Sequence, residues 1–264
     1  MPFWYNNQLI EGNTFPIEIK NPGLLYGATV FTTLRVYENS LEHPLTNWQS
    51  HRDRLHHSLQ VFGWKMPDWQ KIILGMQQLL TSFPVLRIAI FPDGKELITG
   101  RTLPPDLNQR QHQGITAWVA NAPELRRDLA AHKTGNYLGA WLALRKATEL
   151  GASEAILVDN QGNWLETSTG NLWGWRDGCW HTPLLSGDIL PGTTRALLID
   201  WLSNAGEDGR ENIWDGNFVA SLEAIAYSNS VMEVVPIVKV IHENSNFTCT
   251  HDLKSVKKLQ QFFS

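Results

Sequence analysis

Residues 132–173 read HKTGNYLGAWLALRKATELGASEAILVDNQGNWLETSTGNLW. They move from a polar loop, through a helix expected over about 136–150 and stopped by Gly151, into a hairpin. The hairpin pairs AILVD with WLETS through Asn160-Gln161-Gly162. Two side chains stand out. Lys133 sits at the end of the loop, just before the helix. Glu166 sits inside an aromatic, hydroxyl-rich strand, where a carboxylate is costly unless it is paired.

Each has an ordinary reading, a solvated loop lysine and a turn-edge glutamate. Each also has a chemical one. A lysine amine, with a pKa of about 10.4 when unperturbed, loses its proton more easily when partly buried near other cations, and it can then form a Schiff base. A carboxylate such as Glu166 suits a protonated pyridine nitrogen and keeps such a ring cationic.

Working outward, residues 3–10 are expected to form a hairpin around Asn6-Asn7, and 29–37 (TVFTTLRVY) a strand. Thr46 is expected to cap a helix from about Trp48 to Phe62, with Gly63 as its stop. Pro67 and Asp68 open a second helix, with Ile72, Ile73, Met76, Leu79 and Leu80 at helical spacing. Strands are expected near 85–91 and 114–120. The polar, weakly patterned stretch 121–135 reads as a linker, which divides the chain into a smaller lobe over 1–121 and a larger one over 122–264. A turn is expected at Asp177-Gly178, and a helix opened by Pro191 with Ala196, Leu197, Ile199 and Leu202 inward. Strands near 224–241 and a helix near 252–263 complete the expectation. No internal repeat is visible. Strands and helices mix without the alternation of a doubly wound sheet.

Composition narrows the function. Hydrophobic residues make up 42% and charged residues 18%, an ordinary globular balance. The net charge is -4, the pI is about 6.1, and no basic run invites a nucleic acid. The cysteines, Cys179 and Cys249, form no paired-thiol motif, which fits a reducing cytoplasm. No signal peptide is visible and no apolar run reaches the roughly 18 residues of a membrane span. The dinucleotide-binding glycine fingerprint, the phosphate-binding P-loop, the zinc-protease helix motif and the serine nucleophile elbow are all absent. His51, His56 and His57 lie five and six residues apart from the first, not the three or four that place two ligands on one helix face. We therefore expect no metal site.

One further stretch carries chemistry. GDILPGTTRALL, residues 187–198, places Gly192, Thr193 and Thr194 at a helix start. Free backbone N–H groups, the helix dipole and two hydroxyls make a phosphate cradle. Arg54, in HRDRLHHS, could add a bidentate guanidinium.

The order of these segments resembles the class IV aminotransferase family, the fold type IV pyridoxal-phosphate enzymes. LLYGATVFTTLRVYENS (24–40), HRDRLHHSLQVFG (51–63), HKTGNYLGAWLALRKA (132–147), GASEAILVDNQGNWLETSTGNLW (151–173), DGCWHTPLLSGDILPGTTR (177–195) and EAIAYSNSVMEVVPIVKV (223–240) match in order. The resemblance implies an α/β (α+β), two-lobed fold of the D-amino acid aminotransferase type, with the cofactor in the cleft between the lobes. It implies pyridoxal 5'-phosphate held by Lys133 as a Schiff base. Glu166 would face the ring nitrogen. Arg54, Tyr137, Gly192, Thr193, Thr194 and Ser230 would line the rest of the cofactor, and Tyr26, Phe31, Thr32 and Asn229 the substrate, with Thr32 also near the chemistry. It further implies a cytoplasmic homodimer acting on a small molecule.

Within the family, three features resemble 4-amino-4-deoxychorismate lyase, the folate-pathway branch that releases pyruvate and 4-aminobenzoate. VFTTLRV has Thr32 where aminotransferases often carry a carboxylate. The late motif SNSVM (228–232) resembles the lyase pattern. VLRIAIFPDG (85–94) lacks both the Tyr-Ile-Arg-Pro signature of branched-chain enzymes and the Arg-x-His clamp of D-amino acid enzymes. The lyase is thus the expected activity. An aminotransferase of branched-chain L-amino acids or D-amino acids is the alternative, favoured by the Asn136-Tyr137 pair, and a ligand-binding relative without turnover is the second. FPDGKELITG (91–100) departs from the glycine-rich loop common at this point.

Overall fold

The structure is a computed structural model that describes residues 1–207, 209–242, 245–247 and 253–264; Cys249 lies outside the described residues. The chain divides into two compact units, Met1–Pro104 with His132–Asn136, and Pro105–Ala131 with Tyr137–Ser264.

In the first unit the elements are β1 (Phe3–Tyr5), β2 (Gln8–Ile10), α1 (Pro22–Tyr26), β3 (Val30–Arg35), α2 (Trp48–Val61), α3 (Trp69–Leu79), β4 (Val85–Ile90) and β5 (Glu96–Arg101). The strands form one antiparallel sheet in the order β2-β1-β5-β4-β3. Asn6 and Asn7 turn the first hairpin with φ of 46° and 67°, as a two-residue turn matched to strand twist requires. Asp68 caps α3 by accepting from Gln70 and Lys71 N–H. Ile72, Met76 and Leu79 then recur at i, i+4 and i+7 and are fully buried with Leu34, Leu59, Leu86 and Ile88. Burying each such side chain contributes about 1.5–3 kcal/mol relative to leaving it exposed.

Two expectations change here. Thr46 does not cap α2: Asn47 is the cap residue, and the Thr46 hydroxyl donates to Ser40 O and accepts from Tyr37 N–H, closing the preceding loop. The departing segment 91–100 is a turn followed by β5, a strand absent from the sequence reading. Its polar and small residues conceal it. Glu96 is buried because its carboxylate accepts from Trp4 Nε1 at 2.9 Å and Asn7 N–H at 2.7 Å. Gly100 lies under Phe83, whose ring a Cβ would approach to 2.1 Å.

In the second unit are α4 (Leu107–Gln113), β6 (Ile115–Ala120), α5 (Leu138–Glu149), β7 (Glu154–Val158), β8 (Trp164–Thr167), β9 (Asn171–Arg176), β10 (Cys179–Pro183), α6 (Thr193–Asn204), β11 (Gly209–Asn212), α7 (Gly216–Ala220), β12 (Ala224–Asn229), β13 (Glu233–His242), β14 (Ser245–Phe247) and α8 (Leu253–Gln260). The described strands join in the order β11-β10-β9-β12-β13-β6-β7-β8, with β14 beside β13. A last pairing, Glu166 with Asn171, links β8 back to β9 and closes a ring of strands. The sequence reading drew the boundary at 121/122. Here β6 pairs in parallel with β13 and β7, inside the second unit, while residues 132–136 belong with the first.

Alanines line the inner face of α5 (Ala140, Ala143, Ala147). Small side chains let the helix lie close to β7. On α6 the buried apolar residues are Leu198 and Leu202, and Ala196 faces solvent. Leu202 and the partly buried Ile199 pack inward as expected, and Arg195 also turns inward, donating to Thr182 Oγ1 and Pro183 O and pairing with Glu211.

Candidate active site

The expected site residues fall into two groups, one in each unit. In the first unit the loop carrying Lys133 runs beside the start of β3. Phe31 N–H donates to Lys133 O at 2.8 Å, Gly135 N–H donates to Thr29 O at 2.7 Å, and Val30 bridges to Thr134. Gly27 ends α1 with φ +65°, and a Cβ there would sit 3.2 Å from the backbone of Gly135 and Asn136. A larger residue is therefore disfavoured both by backbone conformation and by this close approach. These contacts hold the Lys133 backbone while leaving its side chain to extend.

Lys133 Nζ lies 4.9 Å from the centroid of the Phe31 ring. The guanidinium of Arg87, from β4, lies 3.6 Å from the same ring. Phe31 is buried, Arg87 is exposed, and both cations gain from the electron-rich ring face. Thr32, the next residue, has no exposed surface. Its Oγ1 is 2.5 Å from His51 Nδ1 and accepts from Arg54 Nη2 at 3.0 Å. His51 is held neutral. Burial lowers its pKa well below the ordinary 6.5, and the positive charges of Arg54 and Lys133 lower it further. His51 is thus a buried partner of Thr32, while His56 is half-buried and His57 exposed. Tyr26, at the end of α1, is 75% exposed.

In the second unit the structure brings Glu166, Gly192, Thr193, Thr194 and Ser230 together. The Ser230 hydroxyl is 3.2 Å from both the Thr193 and the Thr194 hydroxyls. Both threonines stand in the first turn of the 12-residue helix α6. Gly192, its cap residue, has no side chain to occupy the first-turn N–H groups. Three hydroxyls at the positive end of a helix dipole are donors of the kind that suit a phosphate ester. Glu166 lies beside it: its Oε2 accepts from Leu190 N–H at 3.1 Å and from Asn171 Nδ2 at 3.4 Å. The same Asn171 amide donates to Leu190 O at 2.9 Å. Within the second unit, a buried carboxylate and hydroxyls at a helix start are groups of the kind that pyridoxal phosphate requires. The residues present fit it.

Sequence reasoning missed Arg127, which lay in the stretch read as a linker. Its side chain is buried, pairs with Glu166 Oε1, donates to Ala130 O at 3.1 Å, and places its guanidinium 4.9 Å from the centroid of the Tyr137 ring. Tyr137 is the cap residue of α5. The doubled Arg126-Arg127 was the available signal; its partner, Glu166, is 39 residues away. Asn229, at the end of β12, accepts at Oδ1 from the N–H groups of Val231 and Met232, at 2.9 and 2.8 Å. No cluster of His, Cys, Asp and Glu suited to a metal ion occurs among the described residues, and none of their helices is long and apolar enough to cross a membrane.

Residues 29–240 match the model of the family described as amino-transferase class IV. The chain is 24% identical to the branched-chain-amino-acid aminotransferase of Escherichia coli K12, over 90% of this chain and 84% of that protein. It is 23% identical to the branched-chain-amino-acid aminotransferase of Pseudomonas aeruginosa, again over 90% and 84%. In fold it is similar to a hypothetical aminotransferase from Mycobacterium tuberculosis solved with alpha-ketoglutarate and PMP, with a TM-score of 0.84, 18% identity, and coverage of 99% of this chain and 98% of that one.

Proposed function

Because the chain belongs to the class IV aminotransferase family, whose members are pyridoxal-phosphate enzymes, we propose that it transfers an amino group from an aliphatic amino acid to a 2-oxo acid. The observation that carries this reading is the pair of cations on the Phe31 ring. Lys133 supplies the reacting amine, and the exposed Arg87 guanidinium on the same ring suits a carboxylate. Every amino acid and every 2-oxo acid presents a carboxylate next to its reacting carbon. The aliphatic side chain follows from the sequence relatives, which are branched-chain-amino-acid aminotransferases.

The bound cofactor supplies an electron sink for the charge left when a proton leaves the substrate carbon. The chain's residues do the rest. Lys133 Nζ would hold the cofactor, and its free amine would move the proton from the substrate carbon. Glu166 would hold the ring nitrogen protonated, and Arg127 orients that carboxylate by pairing with Oε1. Thr193, Thr194, Ser230 and the first turn of α6 would hold the phosphate. Tyr137, stacked with Arg127, borders the ring.

The second reading, lyase action on 4-amino-4-deoxychorismate, rests on VFTTLRV and SNSVM. Thr32 places a neutral hydroxyl where a carboxylate would repel a dianionic substrate. That hydroxyl, however, already serves His51 and Arg54, which weakens its claim to the substrate. A side-by-side assay decides. Branched-chain L-amino acids and D-alanine are each supplied with 2-oxoglutarate, and aminodeoxychorismate is supplied alone. We expect amino transfer from the branched-chain substrates. Pyruvate and 4-aminobenzoate from aminodeoxychorismate, with no amino transfer, would replace this reading by the lyase.

We further propose a cytoplasmic homodimer. The outward face of α5 carries Leu138, Trp141 and Leu142, all exposed, an apolar face that a second copy would cover. Sedimentation of the holoenzyme as a monomer at assay concentration would refute it.

A further inference from the structure

Glu154 is nearly inaccessible, at 4% exposure, and the chemistry above makes no use of it. It opens β7, and two hydroxyls donate to it: Ser168 Oγ to Oε2 at 2.5 Å, and Thr169 Oγ1 to Oε1. A carboxylate only accepts, so the Thr169 hydrogen must point to Glu154. The Thr169 oxygen is then left as an acceptor, and it takes a hydrogen bond from Asn229 Nδ2 at 3.3 Å. With its amide nitrogen so directed, Asn229 turns its Oδ1 to the N–H groups of Val231 and Met232. Between Asn229 and Val231 stands Ser230, whose hydroxyl meets Thr193 and Thr194.

The geometry assigns Glu154 as a positioning residue that fixes the direction of a hydrogen-bond chain, Glu154–Thr169–Asn229, and so holds the Ser230 loop in the form that completes the phosphate cradle. The assignment rests on the reading of that cradle as the phosphate site. Burial raises the carboxyl's pKa, and the hydroxyls of Ser168, Thr169 and Thr167 oppose the rise by favouring its charged form. The chain thus depends on the acceptor character of a group whose charged form burial disfavours and the hydroxyls favour.

Glutamine is the informative substitution. Its amide has one accepting oxygen and one donating nitrogen, so Glu154→Gln cannot accept from both hydroxyls. Either Ser168 or Thr169 must reverse. Thr169→Val cuts the chain without touching Glu154, and Thr169→Ser keeps its hydroxyl. Full-length protein, freed of cofactor and retitrated, is measured with pyridoxal phosphate and with pyridoxal, which lacks the phosphate. We expect wild type to prefer pyridoxal phosphate strongly. Thr169→Val should lose about tenfold in affinity for pyridoxal phosphate, the order of one lost hydrogen bond to an anion, Glu154→Gln should lose up to the same factor because Ser168 shares the reversal, and neither should lose affinity for pyridoxal. Thr169→Ser should match wild type. Equal losses for both ligands, or no loss for pyridoxal phosphate, would overturn the role of Glu154. If wild type bound the two ligands equally, the cradle reading itself would fall. Should Glu154→Gln fail to fold, the Thr169 pair carries the same test.

Discussion

A single methyl group at Gly192 tests how tightly the second unit is packed at the start of α6. The backbone there is ordinary, with φ of -69°, so alanine carries no conformational penalty. The obstacle is Asn171. A Cβ on residue 192 would sit 2.0 Å from Asn171 Oδ1 and 3.2 Å from its Cγ. Non-bonded heavy atoms rest at about 3.5 Å, so the Asn171 side chain must withdraw by about 1.5 Å. Asn171 is buried, and its amide holds Leu190 O at 2.9 Å and Glu166 Oε2 at 3.4 Å. Withdrawal leaves a buried carbonyl unmet, at about 1–3 kcal/mol, and overpacking adds about 1–3 kcal/mol. Gly192→Ala should therefore cost about 2–6 kcal/mol in urea denaturation of the cofactor-free protein. Because the whole effect runs through one side chain, Asn171→Ala should relieve it. The double variant should be more stable than the summed single costs predict, by about 1–3 kcal/mol. Additive costs, or a loss under about 0.5 kcal/mol for Gly192→Ala, which is no more than an ordinary surface substitution causes, would refute the reasoning.

Lys133→Ala should abolish the visible absorbance of the covalently held cofactor, and borohydride treatment should then leave no cofactor mass on the protein; an adduct on the variant would assign the linkage to another lysine. Glu166→Gln should keep that linkage but lower turnover by about a hundredfold or more, the order seen when one preorganised electrostatic partner is removed; full turnover would remove Glu166 from the chemistry. His51 predicts an acid-sensitive fold. Its folded pKa lies below the ordinary 6.5, so the unfolded chain binds the extra proton first as pH falls. The stability contribution is present above about pH 6.5 and is lost as pH drops through the folded value. Urea midpoints at pH 7.5 and 5 should fall more steeply for wild type than for His51→Gln, and parallel slopes would exclude His51 as a source.

What one sequence window could show, it showed. The turns at Asn6-Asn7 and at Asp177-Gly178, the caps and periodicity of α3, and the extended runs of β7 and β12 depend on neighbours within a few residues. The family was legible for a related reason: six segments in fixed order carry the lysine, the carboxylate and the hydroxyls, and none of them needs a distant partner to be recognised. Tertiary structure decided the rest, because it turned on residues far apart in the chain. β5 is a strand because Trp4 and Asn7 satisfy Glu96, about 90 residues away. Arg127 is a partner of Glu166 and not a linker cation. The Thr32 hydroxyl, which sequence alone offered to a substrate, is engaged by two residues of α2. The lysine loop belongs with the first unit because its backbone bonds to β3, about 100 residues earlier. Buried polar groups must find partners wherever the fold supplies them. Local sequence states that such groups exist, and only the folded chain determines which ones meet.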